Sequence, residues 1–335
     1  MGSIPSAGTN PFVIATSCAR QLSPALILVN PEAGAGRAKK VRASIESYFK
    51  SQNFAAEFRA PSNLLAFEKA AREACVHGKR LVVALGGDGT VQALANAALG
   101  TSAVLGLLPA GGGNDFATSL GLPNDPVDAA QVLLRGIPRA VDLLQATVAG
   151  CRVRCYVGGG GVGLDAKAAL LSSGKFRRWP GAARYLAATL WACASFAPLD
   201  IDAELELPGG DFQHVHERVL LATVTNTPTY GAGVKIAPAA RIDDGLLDFV
   251  AVSPLGLTKI VELVPRLLGT GDLRIPELQR YRGRRMRLRS SVPTPFHGDG
   301  EILGETPVEI EVLPRSITVI APRQAPPEGR TDLFV

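Results

Sequence analysis

Apolar positions along the chain fall into short unbroken blocks closed by glycine-rich turns, and these blocks alternate with stretches of helical spacing. Ala25 to Asn30 (ALILVN), Leu81 to Gly86 (LVVALG) and Ala103 to Leu108 are continuous apolar runs of strand length, as expected of strands covered on both faces; Phe54 to Ala60 is a weaker candidate. Helical periodicity fills the intervals, from Arg37 to Lys50, from Leu64 to His77 and through the Ala- and Leu-rich segment ending at Leu99. Such alternation predicts a parallel sheet with helices on its faces. Beyond Asp142 the pattern changes to short alternating runs, including Arg152 to Val157, Ala203 to Leu207, Val219 to Val224, Leu246 to Val252, Met286 to Leu288, Val308 to Val312 and Ile317 to Ile320. A mainly β second half follows, and a chain of 335 residues is long enough for two domains.

The turns closing the first strands carry the chemistry. Gly86-Gly87-Asp88-Gly89-Thr90 joins a buried strand to a helix, and bare backbone beside a helix N-terminus suits a phosphate. Asp88 would repel that phosphate unless a divalent cation or a substrate donor lies between them, which makes a nucleotide with Mg²⁺ the natural occupant. Asn30-Pro31-Glu32-Ala33-Gly34 and Pro109 to Phe116, with Gly111, Gly112, Gly113, Asn114 and Asp115, close two neighbouring strands. All three loops lie at the carboxyl ends of strands, where open α/β sheets gather their ligands. The first is not a Walker loop, because no Gly-Lys-Ser/Thr follows at the required spacing. Gly158, Gly160 and Gly163 fit a dinucleotide fingerprint, but no acidic residue for a ribose occurs between Asp165 and Asp200.

Composition narrows the class. A hydrophobic share of 47% with 19% charged residues describes a globular protein with ample core. The net charge of +5 is uneven: Arg280, Arg282, Arg284, Arg285, Arg287 and Arg289 crowd one stretch, either a solvated face or a site for an anionic partner. Five cysteines and four scattered histidines show no metal-ligand spacing, so a reducing compartment without disulfides is expected. No run reaches the ~20 apolar residues that span a bilayer. Gly2 and Ser6 meet the loose N-myristoylation pattern, a match that often arises by chance. Gly174 to Ala194 mixes Lys175, Arg177, Arg178 and Arg184 with Trp179, Tyr185 and Trp191, a basic and aromatic stretch suited to an anionic membrane surface or to packing on the sheet. In the β-rich half, Asp243 and Asp244 sit at a turn and could hold a cation with help from carbonyls. Asp299-Gly300-Glu301 forms another tight turn, where Glu301 could accept a proton from a substrate hydroxyl.

Taken in order, Asn30-Pro31 with Gly34, GGDGT at 86 to 90, Pro109-x-Gly111-x-x-Asn114-Asp115-Phe116-Ala117, NxPxYGxG at 226 to 233, DDGLLD at 243 to 248 and Asp299-Gly300-Glu301 resemble the diacylglycerol kinase-like lipid kinases, from Ala25 to Ala321. The resemblance implies a nucleotide-binding α/β domain over residues 23–145, rejoined by 315–330, and a β-sandwich-like lipid-substrate domain over 146–314, with the site in the cleft between them. It implies ATP contacts from Asn30, Pro31, Glu32, Ala33 and Gly34, from Gly86, Gly87, Asp88, Gly89, Thr90, Val91 and Gln92, and from Gly112, Asn114 and Asp115. It further implies Asp88, Asp299 and Glu301 as catalytic residues, with Asp88 near the catalytic Mg²⁺ and Glu301 as proton acceptor. Asp244 with the carbonyls of Arg241 and Leu246 would be a second, structural Mg²⁺ site. A cytoplasmic protein, peripheral on the inner face of an anionic membrane and acting on a lipid substrate, would follow; no nucleic-acid partner is expected, and a homodimer is compatible.

Three departures bear on nucleotide binding. Gly112 stands where the family has Thr or Ser, Pro61 stands near a nucleotide-contacting Thr, and Gln92-Ala93 replaces Asn-Glu. They keep open a catalytically weak lipid-binding or regulatory protein. A soluble NAD or sugar-phosphate kinase shares the Gly-Gly-Asp-Gly turn, although the Asp299-Gly300-Glu301 turn in a β-rich half speaks against it.

Overall fold

The computed structural model describes residues 18–148, 154–174, 188, 191–192, 196–231, 233–271 and 273–323. Gly2, Ser6, Cys151 and most of the basic and aromatic stretch at 174–194 lie outside the described residues. The helices are α1 (Cys18–Gln21), α2 (Ala33–Ser51), α3 (Leu64–Val76), α4 (Asp88–Ala98), α5 (Asp115–Ser119), α6 (Pro126–Arg135), α7 (Leu164–Ser173) and α8 (Leu257–Leu268). The strands are β1 (Ala25–Val29), β2 (Ala56–Arg59), β3 (Leu81–Gly86), β4 (Val104–Pro109), β5 (Ile137–Val148), β6 (Arg154–Tyr156), β7 (Gly159–Gly163), β8 (Leu199–Glu206), β9 (Phe212–Val219), β10 (Leu221–Thr225), β11 (Leu247–Val252), β12 (Leu278–Gly283), β13 (Arg285–Ser290), β14 (Pro295–Gly298), β15 (Glu301–Glu305) and β16 (Val308–Ala321).

The α/β expectation holds. Strands β2, β1, β3 and β4 pair in that order and in parallel. Each face is covered: Leu26, Leu28, Val82 and Ala84 pack toward α3 and α4, while Ile27, Val29, Leu81, Val83 and Leu85 pack toward α2 and α6. This explains the unbroken apolar runs, since a strand buried on both sides has no polar face to alternate with. Local signals fix the helix ends: the Asn63 side chain accepts from Ala66 N at 2.8 Å to start α3, and Asp125 accepts from Val127 N, with Pro126 in the first turn of α6.

The same sheet continues into the second half of the chain. β16 pairs in parallel with β4 at Thr318 and Val319, and its earlier residues pair antiparallel with β13, which leads on to β8 and β9. A second, antiparallel sheet in the order β12-β11-β10-β7-β14-β15 faces it. Leu144, Ile201, Met286 and Ile310 from the first sheet close on Val162, Phe249 and Phe296 from the second, the two layers of a β sandwich.

Several elements differ from the sequence expectation. The runs at 308–312 and 317–320 are one strand, broken in register between Leu313 and Ile317, where Arg315 adopts φ 49° and donates its N–H to Asp142 Oδ1 at 2.7 Å. β5 begins before the expected change of pattern at Asp142, which lies buried within the strand. Glycines 159–161 lie in antiparallel β7, where a Cβ on Gly160 would stand 2.2 Å from His297 O, so the fingerprint-like spacing serves close strand packing. The arginine-rich stretch is largely paired: Arg285 with Glu311, Arg287 with Glu309, and Arg282 with Asp244 and Asp248. No helix among the described residues is long and apolar enough to cross a membrane.

Candidate active site

The loops after β1, β3 and β4 meet at the carboxyl ends of their strands. A Cβ on Gly34 would lie 1.9 Å from Ala110 O, and one on Gly111 would lie 2.6 Å from Gly87 Cα, so the three loops touch backbone to backbone. Asn30 ties the first loop to the second: its Nδ2 donates to Thr90 Oγ1 at 2.9 Å while its Oδ1 accepts from Glu32 N at 3.2 Å. Gly34, Ala35 and Gly36 then take left-handed angles in succession, which wraps the start of α2 around the loop after β4. Asn30-Pro31-Glu32-Ala33 turns into α2, with Ala33 N donating to Asn30 O at 3.2 Å; at the start of α4 Gly89 faces open space, Gly87 lies against Gly111, and a Cβ on Gly86 would strike the Thr90 side chain. Val91 packs its side chain into the core below.

Asn114 serves the loop itself. Held at φ 58°, it accepts from Gly111 N at 2.9 Å and returns Nδ2 to Gly111 O at 3.2 Å, while its own N–H donates to Asp88 Oδ2 at 2.8 Å. Gly112 faces open space, with nothing within 4 Å of where a Cβ would stand. Asp115 reaches the other half of the molecule, where its Oδ1 accepts from Gly233 N at 2.9 Å. Gln92 is fully buried, and its Nε2 donates to Gly298 O at 3.3 Å, directed to the β-rich half and away from the glycine loops.

The β-rich half supplies Asp299 and Glu301 from the hairpin that follows Gly298, the residue bonded to Gln92. Asp299 and Gly300 both have positive φ, 51° and 84°, between paired Gly298 and Glu301, the two-residue hairpin that an Asp-Gly sequence favours. Both Asp299 carboxylate oxygens accept backbone hydrogens, Oδ2 from Val157 N at 2.8 Å and Oδ1 from Gly158 N at 2.9 Å. Glu301 is half-exposed, with Oε2 3.7 Å from Arg154 Nη2; Arg154 also pairs with Glu68 of α3 at 3.2 Å. Arg154 was not legible as a site residue, since it lies in an ordinary alternating run.

Negative charge accumulates here. Burial pushes the Asp88 carboxyl up to about 6, helped by the charge of Asp115 and opposed by the N–H groups of Asn114 and Phe116. Burial likewise pushes Asp299 up to about 7 against the bonds from Val157 and Gly158, and the charge of Asp88 adds to the rise. The bonds from Gln92 to Gly298 and from Gly233 to Asp115 join the two halves beside these acids, whose charges repel one another. That repulsion fits a divalent cation beside Asp88. No three acidic, histidine or cysteine side chains among the described residues converge at metal-binding spacing, but Mg²⁺ needs only one or two carboxylates when water and phosphate complete its shell.

The second cation expectation fares differently. Asp244 is ion-paired through Oδ2 to Arg282 and accepts Leu246 N on Oδ1 at 3.1 Å, while Arg282 Nε lies 3.3 Å from Asp248 Oδ1. Asp243 is held by Arg139 at 2.7 Å. A guanidinium already neutralises the acid expected to bind a structural ion, so the set of Arg241, Asp244 and Leu246 does not fit a divalent cation as arranged.

Comparisons with known proteins match both halves of the chain. The diacylglycerol kinase catalytic domain family matches residues 24–146, and the YegS C-terminal NAD kinase beta sandwich-like domain matches residues 160–321. A diacylglycerol kinase of Bacillus subtilis is 27% identical, over 90% of this chain and 97% of its own. A diacylglycerol kinase of Mycobacterium tuberculosis is 30% identical, over 75% of this chain and 79% of its own. A crystal structure of a diacylglycerol kinase from Bacillus anthracis shares the fold with a TM-score of 0.68 at 20% identity, covering 90% of this chain and 98% of that one. The chain thus belongs to the diacylglycerol kinase-like family of lipid kinases.

Proposed function

We propose that the protein transfers the γ-phosphoryl group of ATP to the hydroxyl of diacylglycerol or a related lipid alcohol presented at an anionic membrane surface. The observation that supports this reading is the direct hydrogen bonding between the two halves, Gln92 Nε2 to Gly298 O at 3.3 Å and Gly233 N to Asp115 Oδ1 at 2.9 Å, beside the glycine loops and the Asp299-Gly300 hairpin. The loops at 30–34, 86–90 and 111–115 offer main-chain N–H groups to phosphates. Mg²⁺ bound beside Asp88 would offset the charge of those phosphates and relieve the repulsion among Asp88, Asp115 and Asp299.

Glu301 suits the role of proton acceptor because Asp299 has both oxygens committed to backbone N–H groups. In the proposed step Glu301 takes the proton of the lipid hydroxyl as that oxygen bonds to the γ-phosphorus. The bond from phosphorus to the β,γ-bridging oxygen breaks, and ADP departs with its electron pair. The names of the relatives favour a lipid acceptor over a soluble one. Incubation with γ-labelled ATP and a panel of lipid alcohols tests the reading. A labelled phospholipid supports it; label transferred only to NAD or a sugar phosphate contradicts it.

A further inference from the structure

A buried polar cluster stands directly behind the Asp299-Gly300 hairpin and has no part in the chemistry above. His297, 1% exposed, stacks on the ring of Tyr230 with centroids 5.8 Å apart, and its Nε2 lies 2.6 Å from Tyr230 Oη. Asp165, at the start of α7, completes the group: its Oδ2 is 3.3 Å from Nε2, accepts Tyr230 Oη at 3.3 Å and accepts Thr223 Oγ1 at 2.8 Å. An ionised carboxylate only accepts, so the chain of protons closes when Nε2–H donates to Oη and Oη–H donates to Asp165. Nδ1 meets no partner among the described residues. Buried polar networks often add no more stability than apolar residues of the same volume, and they restrict the side chains they join to one geometry.

What it fixes follows from its neighbours. The register of β14 against β15 shifts between Phe296 and His297, so on that edge the strand leading into the hairpin departs from regular pairing, while its other edge stays in register with β7. Residue 297 lies two positions before Asp299, so a side chain fixed at 297 acts on the strand that leads directly into the hairpin. Tyr230 is equally constrained: it pairs with Val234 through Tyr230 N to Val234 O at 2.8 Å and Val234 N to Tyr230 O at 3.1 Å. Within the same turn Gly233 N holds Asp115 of the loop after β4. Glycine at 159 admits the Tyr230 ring, since a Cβ there would lie 2.9 Å from Cδ2.

We propose that Tyr230 and His297, anchored on Asp165, are positioning residues that lock the hairpin bearing Asp299 and Glu301 in register with the nucleotide-side loop bearing Asp115. This rests on the phosphoryl-transfer reading above. The test measures steady-state kinetics with ATP and diacylglycerol in mixed micelles for wild type, Tyr230→Phe and Asp165→Asn, alongside thermal unfolding. Tyr230→Phe keeps the stacked ring and should lower kcat by ~10- to 100-fold, with KM for ATP changed less than about twofold. Asp165→Asn, with the same shape, should act alike, and the double variant should be no worse than either single change, because one network is broken once. Should Tyr230→Phe fail to fold, Asp165→Asn alone decides. An active wild type whose folded variants keep their kcat overturns the positioning role, as does a loss that merely tracks the fall in melting temperature. A wild type that transfers phosphate to no lipid instead overturns the functional reading itself, and the positioning role falls with it.

Discussion

Gln92, in the first turns of α4, donates its side-chain amide to the carbonyl of Gly298, the residue immediately before the Asp299-Gly300 hairpin. One buried bond thus joins the helix that follows the glycine-rich loop to the turn that carries the opposing acids. Asn96, one turn further along, repeats the connection with two bonds to Cys155, one to its carbonyl at 2.8 Å and one from its N–H at 3.0 Å. The crevice between glycine loops and hairpin is therefore held by α4 as a fixed spacer.

Removing that spacer has a defined expectation. Gln92→Ala removes the bond to Gly298 O and opens a void, which should destabilise the fold by about 1–3 kcal/mol and lower kcat more than it raises KM for ATP. Chemical denaturation and steady-state kinetics on the same preparation check both effects.

The raised carboxyls at Asp88 and Asp299 make stability depend on pH in a predictable direction. Their folded values, about 6 and about 7, lie above the ordinary 3.8, so the unfolded chain releases these protons first. Stability from this source is complete below the unfolded value and is lost as pH rises through the folded ones. In the presence of a chelator the melting temperature should fall between pH 5 and 8. Added Mg²⁺ should restore it at pH 8 and do little at pH 5, and Asp88→Asn should flatten the fall by on the order of 1 kcal/mol. A melting temperature indifferent to Mg²⁺ at pH 8 would contradict a cation beside Asp88.

Gly112 faces open space at an ordinary backbone angle, so a side chain can be accommodated there. Gly112→Thr adds a hydroxyl at the edge of the nucleotide loops. Calorimetry should show tighter ATP binding, by about 0.5–1.5 kcal/mol, with the fold unchanged.

At the Asp244 site the expectation concerns stability. Arg282→Gln strips the counter-charge from Asp244 and from Asp248, whose carboxyl burial already pushes up to about 7. Unfolding free energy should drop by about 1.5–3 kcal/mol, with the loss smaller at pH 5, where Asp248 is protonated.

The parallel sheet was legible because β1, β3 and β4 are buried on both faces, and a run such as LVVALG has no other stable use next to a helix. The glycine loops were legible for the same local reason, and the approach of Gly34 to Ala110 shows why no side chain is tolerated there. What the sequence concealed was long-range. Asp142 looks like a break in an apolar run, yet it organises the bulge of β16 through Arg315 N and the turn at Gly245 through a second bond of 2.7 Å. Arg154, His297 and Asp165 sit in unremarkable local patterns and acquire meaning only when strands distant in the chain pair. The expectation of a structural ion at Asp244 failed to reckon with Arg282, which antiparallel pairing places opposite Asp248. Charge neutralisation across strands cannot be read from spacing along one of them.

The central claim of the proposed function is that Glu301, which follows the Asp299-Gly300 turn, accepts the proton of a lipid alcohol during phosphoryl transfer. The direct measurement is transfer of labelled γ-phosphate from ATP to diacylglycerol by wild type and by Glu301→Gln, with nucleotide binding and folding verified for both. The account predicts labelled phosphatidic acid from wild type and a fall in kcat of ~10²- to 10⁴-fold in the variant, with ATP affinity preserved. A folded, nucleotide-bound Glu301→Gln that turns over at the wild-type rate would contradict it.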